Sequence, residues 1–323
     1  MPGVDSRDCD PLPDTISPKD LSGLLEDIGA TPASLKRDAA ALREWVNAEP
    51  HLPNLTSDLD EWLEIFLVVS KNSMERAKER LDKYFSSRTA LAEWFVVPPP
   101  PLDRFILEDT DYLQGGYVPR LLPGGYCLYI EKAVIPAGGS WAEYDLRLHY
   151  QRALLHTEGM FGRCKKIRGV VFIFDQKNIN MSVATTLVSD LGVFRKWMSC
   201  VQDAMPTSVK AIHVINSTAP SLTRMMLNTV TPLMKAKIAQ RIIIHDNLKS
   251  LHEHIPPEYL PEEYGGTHKT TMEEMGTVLG NFILSEREWF ASRAWMKTNE
   301  SLRRVKKSSD FGIEGSFRKL EVD

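Results

Sequence analysis

Few histidines and carboxylates in this chain are spaced so that they could do chemistry. His252 and His254 flank Glu253, but side chains two positions apart on a helix point in different directions, whereas zinc proteases place their histidines at i and i+4. We therefore interpret both as surface histidines. His213 and His245 each lie in an apolar run, where a hydrogen-bonded core histidine is favoured over a catalytic one.

Complete catalytic and nucleotide-binding motifs are missing from the sequence. It has no Gly-x-x-x-x-Gly-Lys-Ser/Thr loop, no Gly-x-Gly-x-x-Gly after a predicted strand and no Gly-x-Ser-x-Gly elbow. Asp310-Phe311-Gly312 spells part of a kinase signature, but no catalytic loop precedes it, so we interpret it as a chance match.

Asp175 ends an apolar run, where capping of a turn is favoured over catalysis. We predict a protein that is not an enzyme and needs no cofactor or metal; an enzyme with His213 or Asp175 in a pocket is the alternative.

A stripe of leucine and methionine is the most suggestive apolar feature. It runs through a helical stretch interrupted by Pro232 and comprises Leu222, Met225, Met226, Val230, Leu233 and Met234. Such a stripe is a core face or, because methionine is flexible, a movable wall of a lipid-sized cavity. Lys235, Lys237 and Arg241 follow it, and the last two share a helix face. That face is solvated, or it docks on anionic membranes, to which each basic residue near the surface contributes about 1 kcal/mol of binding free energy.

Composition excludes several classes of protein. The 323 residues include 39 Lys and Arg and 43 Asp and Glu, and a net charge of −4 is too near zero for a generic nucleic-acid binder. The longest apolar runs, Ile65–Val69 and Val170–Phe174, are far shorter than the roughly 20 residues of a membrane-spanning helix. The four cysteines form no Cys-x-x-Cys pair, and the N-terminus lacks the apolar segment of a signal peptide. We expect a cytoplasmic monomer without nucleic-acid partners.

The elements that position these residues fall into two parts. Residues 1–16 are polar and proline-containing, which indicates a loose arm, and residues 17–97 show the 3.6-residue apolar period of packed helices. Residues 98–101 are four prolines, which predict a polyproline II spacer of roughly 12 Å between domains. Residues 102–300 alternate strands with helices, which predicts an α/β domain with a mostly parallel sheet. Residues 301–323 are a charged tail.

Within the α/β part, apolar β-branched and aromatic runs predict the strands and amphipathic runs predict the helices. The predicted strands are Tyr126–Ile130, Gly169–Asp175, Val209–Asn216 and Gln240–His245. The predicted helices are Ala142–His156, Val183–Gln202, Pro220–Ile238, Asn247–His254 and Met272–Arg293.

Several of these segments resemble the CRAL-TRIO lipid-binding domain. They are Ile167–Asp175, Met205-Pro206, Lys210–Asn216, Pro232–Lys237, Arg241–His245 and Leu260–Gly266. The last reads Leu-Pro-Glu-Glu-Tyr-Gly-Gly and is the most specific. The run Asp38–Pro53 resembles the helical N-terminal domain of the same family, and Ser73–Thr89 with Glu314–Leu320 resembles its insect branch. The match covers about residues 17–322.

The resemblance implies a carrier that encloses one hydrophobic molecule over a sheet, closes it with a mobile helical gate and exchanges it at membranes. Retinoids, tocopherols, carotenoids and similar terpenoids fit such a cavity equally well. The ligand-pocket residues that we expect from strands and the helix between them are Val170, Phe172, Phe174, Trp197, Cys200, Val201, Met205, Ile212 and Val214. Those expected from the gate are Leu222, Met225, Met226, Val230 and Leu233.

A basic patch beside the gate is the second implied site. In the family a basic cluster binds a phosphoinositide headgroup, and the expected patch here is Lys210, Lys235, Lys237 and Arg241. Ser208 stands where the family has a lysine, and Phe66–Ser70 lacks the arginines of the family pattern. A phosphatidylinositol- or phosphoinositide-binding adaptor or transfer protein is therefore the alternative function, and an empty module that binds proteins is a further one.

Overall fold

The computed structural model describes residues 12–136, 139–163 and 166–304, and this part of the chain begins with helices. Ser17 and Thr31 cap the first two: each side-chain oxygen accepts a hydrogen bond from the backbone N–H three residues later, at 3.1 Å. A proline occupies the first position of both helices. The four helices of this part are α1 (Pro18–Asp27), α2 (Pro32–Ala48), α3 (Asp60–Val69) and α4 (Met74–Ala90).

Buried aromatic rings hold the helical part together. Trp62, Phe66, Tyr84 and Phe85 are all almost fully buried. The rings of Trp62 and Phe66 meet edge to face with centroids 4.8 Å apart, an arrangement that aromatic quadrupoles favour. Helices of 10 to 17 residues are marginal alone, so this shared core is what keeps them folded.

Among the described residues, five strands form one sheet in the order β1-β2-β3-β4-β5. β1 pairs with β2 in antiparallel fashion, and the remaining neighbours are parallel. The predicted α/β class with a mostly parallel sheet is therefore confirmed. The strands are β1 (Leu113–Tyr117), β2 (Tyr126–Ala133), β3 (Gly169–Asp175), β4 (Val209–Ile215) and β5 (Ile242–Ile244).

Nine helices accompany the sheet. They are α5 (Phe105–Glu108), α6 (Leu146–Gly162), α7 (Met181–Leu187), α8 (Leu191–Ser199), α9 (Pro220–Val230), α10 (Ala236–Ala239), α11 (Leu248–His252), α12 (Met272–Ser285) and α13 (Arg287–Ser292) within the described ranges. The single helix predicted over Val183–Gln202 is wrong, since α7 and α8 are separate. Asp190 separates them because its side chain accepts a hydrogen bond from Val193 N–H at 2.9 Å and caps a new helix.

Strand β1 is absent from the strands that the sequence predicts. Gly115 and Gly116 lower its intrinsic strand preference, and their reason for being there is packing. A Cβ on Gly116 would lie 3.1 Å from the backbone oxygen of Met275 in α12. The helix therefore approaches the strand more closely than any larger residue would allow.

The two faces of the sheet bury different sets of side chains because alternate strand residues point in opposite directions. Leu128, Ile130, Val171 and Ile173 face a core completed by residues such as Met272 of α12. The residues between them face α6, α8 and α9 on the other side.

The helical part lies directly against the α/β part, although Pro98–Pro101 joins them. Glu158 of α6 accepts hydrogen bonds from Arg88 Nη1 at 2.8 Å and Tyr84 OH at 2.5 Å, both from α4. Arg287 of α13 donates to the carbonyl of Pro98 and so ties down the proline run.

Part of the predicted arm also makes contacts. Leu12 and Ile16 are buried, and Asp14 N–H donates to the carbonyl of Pro119 at 2.7 Å. Residues 1–11 of the arm, residues 305–323 of the tail and the Asp310-Phe311-Gly312 match lie outside the described residues.

Candidate ligand cavity and basic cleft

A cavity of about 240 Å³ lies between one face of the sheet and helices α6, α8 and α9. Its lining is mostly apolar and rich in aromatic rings. Phe172 and Phe174 of β3 stack with ring planes 6° apart and centroids 6.0 Å apart, and Tyr150 of α6 stacks on Trp197 of α8 at 4.9 Å. An enclosed, apolar cavity with a few polar groups is the usual form of a small-molecule site.

Most of the predicted ligand-pocket residues come together at this cavity. Those in its lining are Val170, Phe172, Phe174, Trp197, Val201, Ile212, Val214, Met226 and Val230. The strand residues meet there because every second side chain of β3 and β4 faces the same side.

The structure places the other predicted pocket residues outside the lining. They are Cys200, Met205, Leu222, Met225 and Leu233. Cys200 and Met205 are fully buried, but the turn over Cys200–Ala204 packs on α4, and the Met205 carbonyl accepts a hydrogen bond from Arg80 Nη1 at 2.5 Å. Met225 lies on the outer side of α9 with 38% of its surface exposed.

Residues of β2 and α6 also line the cavity and were not predicted to do so. Tyr129, Glu131 and Ala133 alternate along β2, and that spacing is the signal that could have identified them. Tyr150 and His156 come from α6, which is buried on nearly all sides and therefore shows no single apolar face in its sequence.

A cluster of polar and charged groups adjoins the cavity, and its members His149 and Glu131 belong to the lining. His149 Nδ1 lies 3.3 Å from Asp109 Oδ2, and its Nε2 lies 3.9 Å from Glu131 Oε2. Arg152 Nη1 lies 3.4 Å from the same oxygen of Asp109, and Tyr144 OH donates to the other oxygen. All five side chains are buried or nearly so, so each charge depends on the others for compensation.

The neighbouring charges set the protonation of this cluster. Burial alone would raise the pKa of Asp109, but His149 and Arg152 outweigh it, and the pKa lies below its usual value. Burial would lower the pKa of His149, but the carboxylates of Asp109 and Glu131 raise it. Burial raises the pKa of Glu131, and the negative charge of Asp109 acts in the same direction.

The histidines and the carboxylate that could have been catalytic have structural partners. His213 and His245 lie away from the cavity; His213 Nδ1 is 2.8 Å from His245 Nε2, and His245 Nδ1 is 2.8 Å from Ser250 Oγ. Asp175 lines the cavity, but its Oδ1 accepts a hydrogen bond from Lys177 N–H at 2.9 Å, as expected for a turn cap. Within the described ranges no group of three or more His, Cys, Asp or Glu side chains could hold a metal ion.

A second concavity, which we call the basic cleft, has a volume of about 370 Å³ and lies between the helical part and the segment around α10. Its basic side chains are Lys71, Arg76, Arg80, Lys83, Lys235, Lys237 and Arg241. Glu79 and Asp203 are its acidic side chains, and Asp203 pairs with Lys235. Seven basic and two acidic groups leave a clear excess of positive charge.

The basic cleft differs in membership from the predicted patch. Lys210 lies elsewhere, with its Nζ 5.3 Å from the centroid of the Tyr126 ring. Arg76, Arg80 and Lys83 were not predicted, although their spacing of four and three residues places them on one face of α4.

No helix in the described ranges has the length and apolar content needed to cross a membrane.

Known proteins match the chain in both of its parts. The model described as CRAL/TRIO domain matches residues 144–266, and the model described as Pinta-like, UBA domain matches residues 31–100. The Alpha-tocopherol transfer protein-like proteins of Pongo abelii and Homo sapiens are each 30% identical over 267 residues, 80% of this chain and 72% of theirs. Clavesin-2 of Mus musculus is 27% identical over 264 residues, 78% of this chain and 75% of its own.

Coverage of this extent at this identity, together with the matching domain model, confirms the resemblance seen in the sequence. The chain therefore belongs to the CRAL-TRIO family of lipid-binding transfer proteins.

Proposed function

We propose that the protein carries one small hydrophobic molecule, such as a retinoid, tocopherol, carotenoid or similar terpenoid, in the cavity and transfers it to or from membranes. The observation that carries the proposal is an apolar cavity between one face of the sheet and several helices, among them α6, α8 and α9. The name of the α-tocopherol transfer protein-like relatives supports a ligand of this kind.

Burial of apolar surface supplies the affinity in this proposal, and no covalent step is needed. A terpenoid hides a few hundred Å² of apolar surface, each Å² contributing roughly 25 cal/mol. The loss of ligand and side-chain freedom offsets part of this gain.

Helix α9, which covers part of the cavity, has features that support exchange of the ligand. Only Thr223 is buried in α9, and the helix ends in a short turn at Thr231–Leu233 that contains Pro232. An element with so few buried side chains opens at a lower free-energy cost than one in the core. Opening of α9 against a bilayer would let the ligand pass between protein and membrane without meeting water.

Two adjacent methionines of α9 offer a matched test. Met226 lines the cavity, whereas Met225 faces outward. We expect Met226→Trp to fill the cavity and abolish the lipid that co-purifies with the protein, as measured by native mass spectrometry of protein from native tissue or a eukaryotic host. Met225→Trp should retain that lipid. Wild-type protein that carries no lipid, or equal lipid content in the two variants, would contradict the carrier function.

The basic cleft favours a second candidate function, which is binding of a phosphorylated headgroup such as that of a phosphoinositide. Its positive charge comes from both parts of the molecule, from α4 and from the segment around α10. Arginine and lysine side chains that converge in this way suit a multivalent phosphate. Membranes that contain phosphoinositides would then bind at the cleft rather than at the cavity.

A further inference from the structure

Glu131 is an unusual residue for the wall of an apolar cavity. It lies at the carboxyl end of β2, opposite Phe174 of β3 in the parallel register, and both side chains are in the cavity lining. Its side chain retains 15% exposure. Around it the lining is aromatic and aliphatic, so a ligand that fills the cavity takes this carboxyl group out of contact with water.

The hydrogen bonds of Glu131 satisfy only one of its oxygens. Tyr129 OH donates to Oε2 at 3.3 Å, and His149 Nε2 approaches the same oxygen at 3.9 Å. In the described part of the chain no group donates a hydrogen bond to Oε1.

Most of the other donors in this cluster already have acceptors. Arg152 donates to the carbonyls of Ile106 at 2.9 Å and Gly276 at 2.7 Å besides facing Asp109. His149 Nδ1 and Tyr144 OH both face Asp109. A ligand that fills the cavity removes water from Oε1, and a polar oxygen left with neither water nor a donor costs free energy, so Glu131 favours a ligand that brings a donor.

We propose that Glu131 selects a hydrophobic alcohol, whose hydroxyl donates a hydrogen bond to Oε1 while its hydrocarbon body lies over the apolar lining. This inference rests on the proposed carrier function. An aldehyde or a hydrocarbon has no proton to donate and would leave Oε1 without a partner. A carboxylic acid in its ionised form would place a third negative charge beside Glu131 and Asp109.

A matched set of ligands tests the proposal, since retinol, retinal and retinoic acid share one hydrocarbon body and differ at the head. Palmityl alcohol, palmitaldehyde and palmitate form a second set on a flexible chain. Binding is followed by quenching of tryptophan fluorescence, because Trp197 lines the cavity. We expect the alcohol of at least one set to bind roughly 10- to 100-fold more tightly than the aldehyde and the acid, the range of one hydrogen bond to a charged group.

Variants assign the preference to Glu131. Glu131→Leu should abolish the preference for the alcohol and leave aldehyde binding unchanged or stronger, and Glu131→Gln, which still accepts a hydrogen bond, should retain part of it. Asp175→Asn changes the other carboxylate of the lining, whose Oδ1 already has a donor, and should keep the preference.

The outcomes separate this inference from the carrier function. If the alcohol, the aldehyde and the acid bind equally tightly, the role of Glu131 is overturned and the carrier function still stands. The same holds if Glu131→Leu keeps both the preference for the alcohol and the thermal unfolding of wild type. If no member of either set binds and no lipid co-purifies, both proposals fall.

Discussion

At the scale of single residues, burial and neighbouring charges together set the protonation of three histidines. His149 and His156 both lie on α6 and are both buried. Asp109 and Glu131 raise the pKa of His149, whereas burial and the positive charge of Arg152 lower the pKa of His156 well below its usual value. His213 resembles His156, since burial and the neighbouring His245 and His254 lower its pKa to about 4.

The lowered pKa of His213 predicts a pH dependence of stability. The unfolded chain binds a proton at His213 below pH about 6.5, whereas the folded protein does so only near pH 4. The folded state therefore binds fewer protons in this window, and the free energy of unfolding should fall as the pH drops from 7 towards 4. Urea denaturation at several pH values should show a shallower fall for His213→Asn than for wild type.

Measurements at about pH 8 provide the control for this prediction. His213 is neutral there in both the folded and the unfolded state, so the difference in free energy of unfolding between wild type and His213→Asn at that pH is the part that does not depend on its titration. A His213→Asn variant with the full wild-type slope would contradict the assignment of this pH dependence to His213.

At the scale of elements, the basic cleft depends on two helices that the chain brings together from distant positions. α4 contributes Arg76, Arg80 and Lys83, and the segment that includes α10 contributes Lys235 and Lys237. The cleft lies next to the cavity, because Val201, Val209 and Ile238 belong to the linings of both. Binding at the cleft would therefore hold the cavity close to the membrane.

Charge reversal tests this arrangement. Lys237→Glu combined with Arg76→Glu changes two exposed side chains of the cleft. We expect slower transfer of a fluorescent lipid to anionic vesicles, with ligand affinity nearly unchanged, because each basic residue near such a surface contributes about 1 kcal/mol. The effect should be larger when the vesicles contain phosphoinositides than when phosphatidylserine supplies the same charge.

Lys210→Glu serves as the control, since Lys210 is also exposed but lies outside the cleft. Transfer rates that fall equally in the two variants would indicate a general charge effect and would argue against the cleft.

At the scale of the whole molecule, α4 connects the helical part to the α/β part through a buried ion pair. Arg88 Nη1 lies 2.8 Å from Glu158 Oε1, and both side chains are almost fully buried. Arg88 Nη2 also donates to the carbonyl of Arg293 at 2.9 Å. One side chain thus contacts α6 and the C-terminal end of α13 at once.

Removal of one partner of this pair should destabilise the protein strongly. Arg88→Leu leaves Glu158 buried without its counter-charge, so we expect the free energy of unfolding to fall by about 3–5 kcal/mol. Arg88→Leu with Glu158→Gln should recover part of this loss, because the new amide is neutral and can still accept the hydrogen bond of Tyr84. Chemical denaturation measures both; a double variant no more stable than the single one would contradict a coupled pair.

Much of the fold follows from local pattern. β3 is observed with the predicted bounds, Gly169–Asp175, because an unbroken apolar run of this length suits a strand covered on both faces. The caps at Ser17 and Thr31 follow from local pattern too, since each residue stands directly before a proline at the first helical position. β1 was not, because its glycines lower the strand preference, and only the packed structure reveals that a Cβ on Gly115 would meet the backbone of β2 and one on Gly116 the backbone of α12.

Strand alternation predicts the side chains of β3 that face the cavity, and the resemblance to the family predicts lining residues from helices, such as Trp197 and Met226. The sequence by itself determined the alternation of the central strands with helices, the apolar face of those strands and the family. Only the tertiary structure decided that Glu131 lies beside His149 at the cavity and that Arg76 and Lys237 line the same cleft. The physical reason is that residue periodicity specifies which way a side chain points from its own element, whereas contacts between elements depend on how their faces pack.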